Sequence, residues 1–163
     1  MGRRGNAAAT RFAFSSEAKA NNSVETILVI EDDEADQLLH EVVIKRTRPD
    51  IKIVKAFDGR EALDMLARLD PMPQLILLDI NMPIMNGYEF LEHYSQRDDH
   101  TIPVVAVLTT SDQEFDKQQM AKFPVVKDYL VKPLRAANIQ TLQDSVTQKR
   151  NRDVAVIQRA PRF

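Results

Sequence analysis

The sequence predicts a doubly wound α/β domain, with five parallel strands in the order 2-1-3-4-5 and helices on both faces of the sheet. Three observations carry that reading. Short apolar runs alternate five times with stretches of helical periodicity, the pattern of βα units joined by right-handed crossovers. Several of these runs are almost continuously apolar, as strands buried on both faces are. The length of 163 residues, 44% hydrophobic and 28% charged, fits one ordinary domain plus tails. The order 2-1-3-4-5 is the smallest doubly wound solution for five such units.

The elements follow in order. Residues 1–23 are rich in Arg, Ala and Ser, with Glu17 the one acid, and read as a disordered tail. Arg3-Arg4 is followed by no adequate apolar segment, which argues against an export signal and for a cytoplasmic protein. The folded domain spans 24–147. Thr26 to Glu31 is the first strand, and Glu34 to Thr47 a helix with Leu38, Leu39, Val42 and Val43 at helical spacing. Arg48-Pro49-Asp50 breaks it.

Ile51 to Ala56 is shorter and more polar, as an edge strand should be. Asp58-Gly59 turns the chain into a helix carrying Ala62, Met65, Leu66 and Leu69, which Pro71 and Pro73 end. Gln74 to Asp79 is the third and most apolar strand, followed by a helix from Gly87 to about Arg97 with Phe90, Leu91 and Tyr94. Ile102 to Thr109 is the fourth strand. Asp112 to Phe123 is a weakly amphipathic helix with Phe115, Met120 and Phe123 as anchors. Val125 to Val131 is the fifth strand, and Arg135 to about Lys149 the last helix, through Ile139, Leu142 and Val146. Residues 148–163 are a basic tail or an extension of that helix.

Composition excludes several functions. With no cysteine, disulfides and thiolate metal sites are out, and His40, His93 and His100 sit at no metal-ligand spacing. Apolar runs are too short to span a membrane. The net charge of −2 conceals an asymmetry, because residues 24–147 carry 13 Lys/Arg against 22 Asp/Glu. An acidic folded core is a poor surface for nucleic acid, whose phosphates need a basic face. Four glycines in the whole chain leave no glycine-rich dinucleotide or P-loop signature.

In such a sheet ligands bind at the carboxyl ends of the strands, where the order reverses between strands 1 and 3. Strand 1 ends in Glu31-Asp32-Asp33, strand 3 in Asp79, strand 4 in Thr109-Thr110-Ser111 and strand 5 in Lys132-Pro133. Carboxylates crowded together need a cation or a proton. An all-oxygen set suits Mg²⁺, which prefers a phosphate as a further ligand. A carboxylate can itself attack a phosphoryl group to give an aspartyl phosphate. A metal, a lysine ammonium and a hydroxyl are the groups that offset charge on three phosphoryl oxygens. Acids after a strand also serve simply as helix caps, which explains any one of these positions but not four strand ends together.

With these residues in place the sequence resembles the receiver domain of two-component response regulators, whose fold is flavodoxin- and CheY-like. The matching segments are ILVIEDDEAD (27–36), PQLILLDINMPIMNGYEFL (73–91), IPVVAVLTTS (102–111) and DYLVKPL (128–134). Within the family it is most similar to stand-alone receivers, some of which serve phytochromes or hybrid kinases. The resemblance implies a signalling domain rather than a turnover enzyme. Asp79 would be the phosphoacceptor, taking its phosphoryl group from a sensor histidine kinase or a histidine phosphotransferase. Glu31, Asp32, Asp79 and the backbone carbonyl of Asn81 would hold Mg²⁺. Lys132 would pair with the acceptor, and Thr109 with Tyr129 would form the switch.

Asp33 reads as a helix N-cap, and Pro83 and Gly87 shape the loop after Asp79, with glycine supplying permissive φ. The Lys132–Pro133 bond is a candidate cis peptide. Phe123-Pro124-Val125-Val126-Lys127 replaces the family's usual Gly-Ala turn before strand 5, which alters the face of helix 4, strand 5 and helix 5. That face is the expected surface for a partner or a homodimer. Three competing readings remain: a relay that passes the phosphoryl group onward, a phosphorylation-silent scaffold, and a phosphohydrolase of the haloacid-dehalogenase type. The last wants a second aspartate two residues after the nucleophile, where this chain has Asn81.

Overall fold

A computed structural model describes residues 24–97, 104–110 and 114–159, without the side chains of 114–116, 154 and 156–159. The tail at 1–23 and the hydroxyl of Ser111 lie outside the described residues, as does the side chain of Phe115. Five strands, β1 (Thr26–Ile30), β2 (Lys52–Ala56), β3 (Leu75–Asp79), β4 (Val104–Thr109) and β5 (Val126–Val131), alternate with five helices. The helices are α1 (Glu34–Thr47), α2 (Gly59–Leu66), α3 (Gly87–Ser95), α4 (Glu114–Met120) and α5 (Ala136–Arg159). All strand pairs are parallel, in the predicted order β2-β1-β3-β4-β5.

Every residue of β1, β3 and β4 is buried, which is why those strands read as unbroken apolar runs. Alternate residues feed two cores. Leu28, Ile30, Ile76, Leu78, Val105 and Val107 point to the side where Ala62, Leu66, Phe90, Leu91, Tyr94 and Met120 pack. Ile27, Val29, Leu75, Leu77, Ala106 and Leu108 point the other way, against Ile44 of α1 and Ile139, Leu142 and Val146 of α5. The edge strands β2 and β5 are only partly buried. In β5 the register slips: Val105 pairs with Val126 but Ala106 with Asp128, so Lys127 is an extra residue, a β-bulge.

Helix starts follow local chemistry. Asp33 caps α1 by accepting from the Asp36 amide, Asp58 caps α2 through the amides of Arg60 and Glu61, and Asn86 and Glu89 form a reciprocal capping box on α3.

Two details differ from expectation, and a third decides between two readings. On α1 the buried residues are Gln37, His40 and Ile44, while Leu38 and Leu39 are more than half exposed. The Gln37 amide donates to the main-chain oxygens of Glu31 (2.8 Å) and Ala56 (3.0 Å), so a polar residue ties the helix to two strand ends. α5 continues ten residues past Lys149, to Arg159, so residues 150–159 extend that helix, one of the two readings the sequence left open. In the loop after Asp79 the left-handed residue is Ile84, at φ 67°, and no described glycine has positive φ. Gly87 is needed for a different reason: a Cβ there would lie 2.6 Å from the Asp79 carbonyl oxygen.

Candidate functional site

The carboxyl edge of the sheet gathers the charged strand ends. Glu31 follows β1 and is 2% exposed, Asp79 ends β3 and is 4% exposed, and Thr109 ends β4 with its side chain inside. Asp32, next to Glu31, faces solvent. Lys132 follows β5, its amide donating to the Thr109 carbonyl at 2.7 Å, and the Lys132–Pro133 bond is cis. Pairing β1 with β3 at the centre of the sheet places Glu31 beside Asp79. Two loops support this edge: the Glu31 amide donates to the Ala56 carbonyl, and the Gly87 amide to the Ile80 carbonyl.

Lys132 is the hub. Its Nζ lies 2.6 Å from Glu31 Oε2, 2.8 Å from Asp36 Oδ2 and 3.0 Å from Asp79 Oδ1. The other oxygen of Asp79 accepts from the Asn81 amide at 3.0 Å, which fixes the carboxylate plane. Glu31 Oε1 accepts from the Asp33 amide at 3.3 Å.

The electrostatics are those of a site with surplus negative charge. Burial pushes the Glu31 carboxyl up to about 7, helped by the nearby Asp79 and opposed by the Lys132 hydrogen bond. Burial disfavours the Lys132 ammonium, but the hydrogen bonds of Asp36, Glu31 and Asp79 outweigh it and hold its pKa above the usual lysine value. One ammonium cannot neutralise this many carboxylates.

Glu31, Asp32 and Asp79 each offer an oxygen, and these oxygens lie within 4.8 Å of one another. The set is all-oxygen, partly buried and short of positive charge, so its chemistry fits a hard divalent cation. Asn81, expected as a further ligand through its carbonyl, sits directly after this cluster with its amide already turned to Asp79.

Thr109 and Tyr129 lie on neighbouring strands: β4 and β5 pair Val107 with Tyr129 and Thr109 with Val131. The Tyr129 ring is partly buried, with Lys117 Nζ 5.7 Å from its centroid. Sequence reasoning missed Asp36, a third carboxylate on Lys132. No spacing signal marks a pair 96 residues apart, and its neighbours Glu34 and Asp33 look equally eligible.

Comparison with known proteins agrees with this geometry. The profile of the response regulator receiver domain matches residues 27–144. Response regulator Rcp1 of Synechocystis is 39% identical over 102 residues, covering 59% of this chain and 69% of that protein. Its Mn²⁺-bound form superposes with a TM-score of 0.60 at 32% identity, over 74% of this chain and 90% of that one. The phosphorylated cyanobacterial phytochrome response regulator RcpA gives a TM-score of 0.62 at 28% identity, over 77% and 91% of the two chains. A two-component response regulator from Cytophaga hutchinsonii gives 0.71 at 27%, over 77% and 98%. Several longer curated relatives match over about a third or less of their own length. Among the described residues no helix is long and apolar enough to cross a membrane. A five-stranded parallel sheet with acids at the ends of β1 and β3 and a lysine after β5, matched over residues 27–144 by the family profile, places this chain in the response regulator receiver domain family.

Proposed function

We propose that Asp79 is the phosphoacceptor of a two-component phosphorelay, loaded by a histidine kinase or a histidine phosphotransferase. The observation that carries this reading is the contact between Lys132 Nζ and Asp79 Oδ1 at 3.0 Å, beside the Glu31–Asp32–Asp79 oxygen cluster. An Asp79 oxygen attacks phosphorus, and an O–P bond forms as the P–N bond of phosphohistidine breaks. The imidazole leaves with the electron pair and takes up a proton. Mg²⁺, held by Glu31, Asp32, Asp79 and the Asn81 carbonyl, would supply positive charge to the phosphoryl oxygens. Lys132 offsets further charge, and the Asn81 amide keeps the acceptor carboxylate oriented.

Phosphorylation then draws the Thr109 hydroxyl toward the phosphoryl group and lets Tyr129 repack, changing the face of α4, β5 and α5. That face is the proposed surface for self-association or a partner. Similarity to the phytochrome response regulator RcpA supports a phytochrome-type donor.

Intact mass after incubation with acetyl phosphate tests the acceptor. A gain of one phosphoryl group that requires Mg²⁺ and vanishes in Asp79→Asn is expected; a gain that persists in Asp79→Asn overturns the assignment. Beryllofluoride, a phosphoryl mimic, should shift the resonances around Tyr129 and raise the mass seen by light scattering. If neither changes, the switch is wrong.

A further inference from the structure

An ammonium has three N–H donors and no acceptor. Around Lys132 stand three carboxylates, one for each donor: Glu31, Asp36 and Asp79. Glu31 and Asp79 belong to the cation-holding cluster, and Asp36 does not. It sits in the first turn of α1, its side chain 36% exposed against 2% for Glu31. Its place is fixed from below, because its amide donates to Asp33 Oδ1, the cap of α1, at 2.9 Å. The Lys132 hydrogen bond holds the Asp36 carboxyl below its ordinary range, so it is a carboxylate at neutral pH.

We propose that Asp36 is a positioning residue for Lys132, taking one N–H of the ammonium and so setting how much of that charge reaches Glu31, Asp79 and an incoming phosphoryl group. This rests on the reading of Asp79 as acceptor and of the neighbouring carboxylates as the cation site. In the unphosphorylated state Asp36 draws Lys132 partly away from two oxygens a cation needs, and adds a negative charge nearby. Both effects favour Mg²⁺. In the phosphorylated state the same contact withholds an N–H from the phosphoryl oxygens, and the same charge repels them. Asp36 therefore raises the affinity for the cation and lowers that for the anion.

The opposite signs make the test specific. Mg²⁺ is titrated into the unphosphorylated chain and followed by amide chemical shifts, and beryllofluoride is then titrated at saturating Mg²⁺. Coulomb energies at partly screened separations put the loss of Mg²⁺ affinity in Asp36→Ala at about three- to tenfold. Beryllofluoride binding should tighten by about threefold. Asp36→Glu, which keeps the carboxylate, should return both values toward wild type. Glu34→Ala, an exposed acid in the same turn, should move Mg²⁺ affinity by less than about twofold. In a Lys132→Ala background, Asp36→Ala should do no more than Glu34→Ala.

Joint weakening of both ligands, no change in either, or a shift as large without Lys132 as with it overturns the proposal. If wild type binds no beryllofluoride, the acceptor reading falls on its own. The Mg²⁺ titration still decides the coupling of Asp36 to Lys132.

Discussion

α1 and α3 both carry apolar residues at helical spacing, yet they bury different kinds of residue. α3 turns Phe90, Leu91 and Tyr94 into the core, with the Phe90 and Tyr94 rings stacked at 5.4 Å. α1 buries Gln37 and His40 along with Ile44, and leaves Leu38 and Leu39 in solvent. The difference is position. α3 covers an apolar sheet face, where burial area decides orientation. The first turns of α1 lie over the ends of β1 and β2, where main-chain oxygens and the Lys132 cluster need polar partners. A helix beside a charged site is oriented by hydrogen bonds as much as by its leucines.

The contrast can be broken most forcefully at α3. Phe90→Ala should cost about 3–5 kcal/mol in denaturant unfolding, the range for an emptied aromatic site in a core. A loss below 1 kcal/mol would falsify the assignment of α3 as the apolar anchor.

On α1 the buried imidazole gives a pH signature. Burial first, and the Lys132 charge second, lower the His40 pKa from 6.5 to about 4, so the folded state keeps it neutral. Stability from that neutral form is complete above pH 6.5 and declines as pH falls from 6.5 toward 4, because the unfolded chain takes up the proton first. Glu31 runs the other way. With its pKa raised from 4.5 to about 7, the folded state gains the proton first as pH falls through 7, and stability rises down to 4.5. The two slopes oppose each other, so wild type should be nearly flat between pH 6.5 and 4.5. His40→Leu removes one slope. Relative to wild type it should gain about 2 kcal/mol on going from pH 7 to pH 5 in metal-free buffer. Parallel pH profiles for the two proteins would show that His40 is not held neutral.

Gln37→Ala deletes two hydrogen bonds to strand-end carbonyls and should cost about 1–2 kcal/mol in thermal unfolding. A neutral result would mean that α1 is seated by Ile44 alone. The smallest effect belongs to the exposed leucines: Leu38→Ser and Leu39→Ser should each stay within about 0.5 kcal/mol of wild type. A larger loss from either would show that its side chain is covered in solution.

Legibility in the sequence follows the same division. The unbroken runs Ile27–Ile30 and Leu75–Leu78 announced central strands, and with them the positions of Glu31 and Asp79. Lys132 was legible because it directly follows the last strand and stands in DYLVKPL. Asp36, Gln37 and His40 were not, since each acts across the fold on a partner that only tertiary structure brings near. Gly87 was singled out for the wrong property: the constraint is the Asp79 carbonyl standing where a Cβ would lie, which leaves no mark in residue pattern. α5 outran its apolar periodicity because residues 150–159 continue the helix without adding to the described core.

The bulge at Lys127 has a bearing on what this chain does at high concentration. Both outer strands of an open sheet are templates on which another copy could add a strand and begin a filament. On β2 that edge carries Lys52 and Lys55. On β5 the extra residue breaks the even ladder of main-chain donors and acceptors, so an incoming strand loses register partway along. Growth by strand addition is thus disfavoured at both margins, which leaves side chains and helix faces, rather than main-chain ladders, as the surfaces through which two copies could meet.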